Sequence, residues 1–203
     1  MRLGQTQAIT LVLISGIIIA LVGFAYTWGK PMIEKRSVIM QFTSALKFME
    51  DLDRKIVDMA GSCSFEGGCE EEFELPVPGM MILNESGNTL FYEFRVEQPL
   101  ITAGEVLFNT ADNGSIARYG ETPGVLSMTG NRSGSSYTLK FSLRYRELVS
   151  DDPFRGYKIQ LLRSGGSSGN RKIVISYGGS ETRSGEAYEG RDLVLSKIRV
   201  QLM

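Results

Sequence analysis

The sequence predicts an α+β chain: a long N-terminal helix, apolar in its first half and amphipathic in its second, followed by an antiparallel β-sandwich-like head. Three observations carry this reading. Leu3 to Gly29 are 27 residues without a formal charge, bounded by Arg2 and Lys30. Residues 31–60 place apolar side chains at spacings of three, four and seven. After Cys69 the period changes to two, in short runs separated by Gly-, Ser- and Asn-rich stretches.

The dense apolar part, Ala8 to Trp28, is 21 residues. At about 1.5 Å per residue, such a helix spans a hydrocarbon core of roughly 30 Å. It exceeds the roughly 7–15 residues of a signal-peptide core, and its basic flank is minimal. Tyr26 and Trp28, beside Lys30 and Pro31, lie where an interfacial aromatic belt belongs. Gly16, Ala20 and Gly23 mark a small-residue face; the Gly16-xxx-Ala20 spacing suits close helix approach and equally the ordinary tolerance of membrane helices for glycine.

Beyond Pro31, which fits a kink or a first-turn position, Ile39, Phe42, Leu46, Met49, Ile56 and Ala60 recur on one stripe with Leu52 beside them. Lys47, Glu50, Asp51, Arg54, Lys55 and Asp58 fill the other face, and Gly61-Ser62 stop the helix. The stripe packs either on the protein's own head or on helices of neighbouring subunits.

Cys63 and Cys69 are close together in GSCSFEGGCEEEF, with Gly67-Gly68 between them. The even count and the upstream membrane segment favour a disulfide over free thiols. Zinc is disfavoured, because there is no CxxC pair and no histidine. The expected organisation is an N-terminal helix reaching residue 60, with membrane segment 8–28 and amphipathic extension 31–60. A cysteine loop at 61–69 and a β domain at 70–203 of about eight to ten strands follow. Clear strand runs are Phe91–Val96, Tyr137–Leu148, Tyr157–Leu162, Arg171–Tyr177 and Leu193–Met203.

Chemistry is sparsely represented. With 22 Lys+Arg against 23 Asp+Glu, no field suggests a nucleic-acid partner. The absence of histidine removes the commonest general base and metal ligand. Gly-rich stretches such as RSGGSSGN match no phosphate-binding pattern and read as hairpin connections. Glu70-Glu71-Glu72 and Asp151-Asp152 could offer oxygen ligands to a hard cation, but solvated acidic runs account for them more simply. No catalytic, cofactor or metal residues are assigned, and an enzyme is not expected. Three Asn-x-Ser sequons, at Asn84, Asn113 and Asn131, all fall in predicted turns and suit an exported, glycosylated domain.

The opening MRLGQTQAITLVLISG resembles the class III leader of archaeal type IV pilin-like proteins, the group that includes archaeal pilins, archaellins and their minor subunits. The resemblance covers roughly the first 35 residues, and the plan of a long helix plus a β head fits it. It implies a leader at 1–4 that a leader peptidase cuts off between Gly4 and Gln5, and an N-terminal helix at 5–60 that stays on the mature chain, its hydrophobic part packing in a filament core. Where many pilins of this group carry Glu five residues into the mature chain, this chain has Ile9. That departure points to a minor or accessory subunit.

The resemblance implies a structural subunit of a surface filament. Its partners would be the membrane and other pilin-like subunits, and Gly16, Ala20, Gly23, Ile39, Phe42, Leu46 and Met49 would pack between helices. The β domain would be extracytoplasmic and touch a surface or envelope ligand. The alternative is a single-pass anchored extracytoplasmic binding or envelope protein that never polymerises. Lys30, Lys35 and Arg36 would by the positive-inside tendency hold the head inside; the expected disulfide and the sequons place it outside.

Overall fold

The computed structural model describes residues 3–63, 68–99, 104–110, 113–134, 136–150 and 154–203. Met1, Arg2, residues 64–67 of the cysteine loop and Asp151-Asp152 lie outside them. The chain divides into two units, Met1–Met40 and Gln41–Met203. One helix, α1 (Leu3–Ser62), belongs to both, and Pro31 sits inside it rather than in its first turn.

The strands are β1 (Glu70–Glu74), β2 (Gly79–Asn84), β3 (Thr89–Val96), β4 (Glu105–Leu107), β5 (Ile116–Arg118), β6 (Gly124–Ser133), β7 (Ser136–Tyr145), β8 (Glu147–Val149), β9 (Arg155–Arg163), β10 (Ser168–Gly169), β11 (Lys172–Arg183) and β12 (Asp192–Leu202). They form two six-stranded sheets. The first has the order β1-β11-β12-β9-β8-β5, the second β10-β2-β3-β7-β6-β4. The second sheet is antiparallel throughout.

The first sheet departs from the expected antiparallel pattern. β9 and β12 run parallel from Asp192↔Arg155 to Val200↔Arg163, and β5 pairs parallel with β8. After β9 the chain visits the second sheet through β10 and returns as β11. The two arms β9 and β11 leave a slot that β12 fills. Being antiparallel to β11, β12 is necessarily parallel to β9. The expected run Tyr137–Leu148 is also divided: β7 ends at Tyr145 in the second sheet and β8 opens at Glu147 in the first. The buried Arg146 makes the crossing.

Alternation along the strands builds the core. Leu90, Tyr92 and Phe94 on β3 pair with Leu143, Phe141 and Leu139 on β7, with Val96 and Tyr145 buried at opposite ends of the two strands; Ile173 and Ile175 on β11 lie beside Ile198, Val200 and Leu202 on β12. The last turns of α1 complete it. Phe48 lies edge-on to Phe73 of β1 and Tyr92 of β3, with ring centroids 6.2 and 5.5 Å away. Phe42 stacks on Phe141 at 5.9 Å. Met49, Leu52 and Ile56 are fully enclosed, and burying each such side chain stabilises the fold by about 1.5–3 kcal/mol. The buried line runs Ala45, Phe48, Met49, Leu52, Ile56, Met59. It is rotated from the expected stripe: Ile39 is 43% exposed, and Phe42, Leu46 and Ala60 are half-buried.

Candidate membrane anchor and contact surfaces

From Leu11 to Trp28 the side chains are exposed in every direction around the helix, Ile19 to 72% and Trp28 to 69%. A soluble amphipathic helix hides one stripe; this segment hides none. Its mean hydropathy reaches 2.2 over 18 residues, and it is long and apolar enough to cross a membrane. Its hydroxyls turn back on the helix: Ser15 Oγ donates to the Val12 carbonyl at 2.9 Å and Thr27 Oγ1 to that of Phe24 at 3.0 Å. Both of these hydroxyls are thereby satisfied within the helix, as a hydrocarbon setting requires. At the polar end, Lys30 and Glu34 form an ion pair at 3.6 Å.

Gly16, Ala20 and Gly23 share one face by their spacings of four and three. A Cβ added at Gly16 or Gly23 would meet nothing within 4 Å, so that face is open. Gly4 and Gln5 lie within α1; their side chains, and that of Ile9, are outside the described set.

Cys63 and Cys69 form a disulfide with Cα atoms 6.1 Å apart. The first caps α1 through its amide to the Met59 carbonyl at 3.1 Å, and the second accepts the Tyr177 amide at 3.0 Å beside β11. The bond therefore ties the helix end to the edge strand β1. Lys55 reinforces the seam by pairing with Glu71 at 2.8 Å.

The acidic run at 70–72 is likewise occupied with structure, Glu72 pairing with Lys172 at 2.9 Å. Among the described residues no group of three or more His, Cys, Asp or Glu could hold a metal ion.

The sequons fall in different settings. Asn84 ends β2, exposed, its Oδ1 accepting from Ser86 Oγ at 2.8 Å and the Gly87 amide at 3.1 Å. Asn113 is held between chains of side chains: its Nδ2 donates to Glu105 Oε2 at 3.1 Å, and its Oδ1 accepts from Arg144 at 2.7 Å. Asn131 is exposed but lies within β6, opposite Thr138, and not in a turn as expected. The hairpin carries its ladder out to Ser133↔Ser136, because Gly and Ser tolerate a strand that period-two reading does not detect.

One cluster escaped the sequence reading. Asp53 sits in the buried arc of α1, four residues after Met49 and three before Ile56. Tyr145 donates its hydroxyl to Asp53 Oδ1 at 2.9 Å, and Asn109 Nδ2 is 3.5 Å from Oδ2. Asn109 also donates to the Gly124 carbonyl and accepts the Leu126 amide, both at 2.8 Å. Burial pushes the Asp53 carboxyl above its ordinary range, against the pull of Tyr145 and Asn109, and pushes the Tyr145 phenol far up. Tyr92, bonded to Val77 through its hydroxyl, is raised by burial to about 12. The helical phase of Asp53 relative to Met49 was the one available signal.

No family model matches this chain, and neither a curated protein nor a solved structure resembles it.

Proposed function

We propose that this chain is a structural subunit, minor or accessory, of an archaeal type IV pilus-like filament. Its leader would be cut between Gly4 and Gln5, its apolar helix would pack in the filament core, and its head would face outside as a two-sheet sandwich. The observation that carries this is the all-round exposure of an apolar helix that continues without a break into the head. Lipid solvates such a helix before assembly, and neighbouring helices can replace lipid afterwards along the open Gly16, Ala20, Gly23 face. The disulfide and the sequons suit an extracytoplasmic head in contact with a surface or envelope component.

A second reading, a permanently anchored envelope protein that never polymerises, draws on Met49. That side chain is enclosed in its own head and offers nothing to a neighbour. A mass spectrum of the protein from its native membrane, together with sheared surface filaments, separates the two. A mature terminus at Gln5 and recovery in filaments are expected; an intact Met1 and absence from filaments would transfer the assignment to the anchored reading.

A further inference from the structure

We propose that Asp53 is an acid-strengthened latch, by which the head tightens on the last turns of its own helix as the surroundings acidify. The carboxylate projects from α1 into the start of the β6–β7 hairpin, where Tyr145 and Asn109 are its polar neighbours. Gly124 leaves it room: a Cβ there would stand 2.2 Å from Asp53 Oδ1. Half-buried, an anion in this setting has given up much of its water for one phenol and one distant amide, and among the described residues no cation balances it.

The charged groups on the surrounding elements are engaged elsewhere. On α1, Arg54 pairs with Asp51 and Lys55 with Glu71, Lys47 and Asp58 lie on the helix's other face, and Glu50, three residues before Asp53, is exposed and carries the same sign of charge. On β7, Lys140 pairs with Glu93, and Arg144 holds Asn113. Arg146, next to Tyr145 but on the opposite side of the strand, turns to the Thr122 carbonyl and to Glu121. On β6, Arg132 bonds the Gly134 carbonyl at the far tip. Near Asn109, Asp112 lies outside the described residues.

The direction of the effect follows. Burial holds the Asp53 carboxyl above its ordinary range, so the folded chain binds a proton more tightly than the unfolded one. The latch is strongest below the unfolded value of about 3.9 and weakens as pH rises through the folded value. Protonation removes a buried charge and keeps the side chain's shape, and the resulting hydroxyl can still accept from Tyr145.

Denaturant unfolding of the full chain in detergent micelles, read by tyrosine near-ultraviolet dichroism between about pH 4.5 and 7.5, tests this. For wild type relative to Asp53→Asn, the midpoint should rise on acidification, and the variant should unfold later than wild type at the alkaline end. Other carboxylates, such as Glu181 beside Lys197 and Arg183, titrate equally in both and cancel. Tyr145→Phe removes a donor that favours the anion, so its acid rise should begin at higher pH. Equal pH slopes in wild type and Asp53→Asn would overturn the latch. Should Asp53→Asn fail to fold, an acid rise in Tyr145→Phe at unchanged pH would overturn it instead.

Discussion

Asn88 stands in for a missing strand beside Leu161: its Oδ1 accepts the Leu161 amide at 2.8 Å, and its Nδ2 donates to the Ile159 carbonyl at 2.7 Å. β8 pairs with β9 only as far as Lys158, and beyond that point the edge of β9 would be bare. The same Nδ2 reaches the Tyr145 carbonyl at 3.1 Å, and two residues along β9 the Arg163 amide donates to Glu85 Oε1 at 2.5 Å. The β2–β3 turn of the second sheet thus closes the open edge of the first with side chains. It does so from a left-handed backbone, φ +50° at Asn88, a conformation that Asn adopts more readily than most residues.

Asn88→Ala should therefore destabilise the head by about 3 kcal/mol, since it strands one buried amide and two carbonyls at roughly 1–3 kcal/mol for each group left unsatisfied. Asn88→Gly should be milder by about 1 kcal/mol, because glycine relieves the backbone while losing the same bonds. Urea unfolding of the full chain in micelles measures both. A loss under about 0.5 kcal/mol for Asn88→Ala would mean that water replaces the staple without penalty.

These contacts mark the boundary of what the sequence could convey. The apolar stretch, the change to period two after Cys69 and the paired cysteines are local signals, and each corresponds to a described element or bond. Strand neighbours are not local. LVLSKIRVQLM reads as a strand, but period two reports faces and not partners, so its place between β9 and β11, parallel to one of them, was not legible. The phase of the helix misled for a related reason: Leu46 extends the stripe as a hydrophobe, whereas packing buries Ala45, one position before it, and Phe48, one position before Met49. Neither Asn88 nor Asp53 stood out in the sequence, because burial is a property of the assembled sheets.

Reduction of Cys63–Cys69 should destabilise the head by about 2–3 kcal/mol through the freedom regained by the unfolded loop. The seam itself should persist. β1 keeps its ladder with β11, Phe73 its contact with Phe48, and Glu71 its pairing with Lys55. The expected result is a lower unfolding midpoint in reductant with an unchanged native dichroism spectrum. Loss of strand signal on reduction, before any denaturant is added, would show that the bond holds β1 in place.

Of the three sequons, Asn113 should carry the least glycan. Its Nδ2, the atom to be modified, already donates to Glu105, and Arg144 grips its carbonyls from the other side. Asn84 and Asn131 are exposed without such a clamp. If attachment follows folding, glycopeptide mass spectrometry of the native protein should find sugar at Asn84 or Asn131 and little at Asn113. Heavy occupancy at Asn113 would place modification before the β4–β5 segment closes on Arg144.

The apolar helix is where filament subunit and solitary anchor part. In a solitary anchor, lipid surrounds Gly16, Ala20 and Gly23, and leucine at any of them only adds apolar surface to a hydrocarbon solvent that accepts it. In a filament, helix backbones close over these positions, and a leucine side chain holds them apart. Among the described residues nothing opposes the substitution, since a Cβ at Gly16 or Gly23 meets no atom within 4 Å. Gly16→Leu and Ala20→Leu should therefore insert in the membrane and keep a folded, oxidised head while the variant disappears from sheared filaments. Head integrity is checked by protease resistance and by alkylation of the unreduced protein, and assembly by the amount of chain in the filament fraction relative to membranes. A charge at Phe42 gives no such separation, because Phe42 stacks on Phe141 within the head and its loss would weaken either kind of protein. Normal assembly of Gly16→Leu, or a wild-type chain absent from filaments altogether, would leave the helix as an anchor and nothing more.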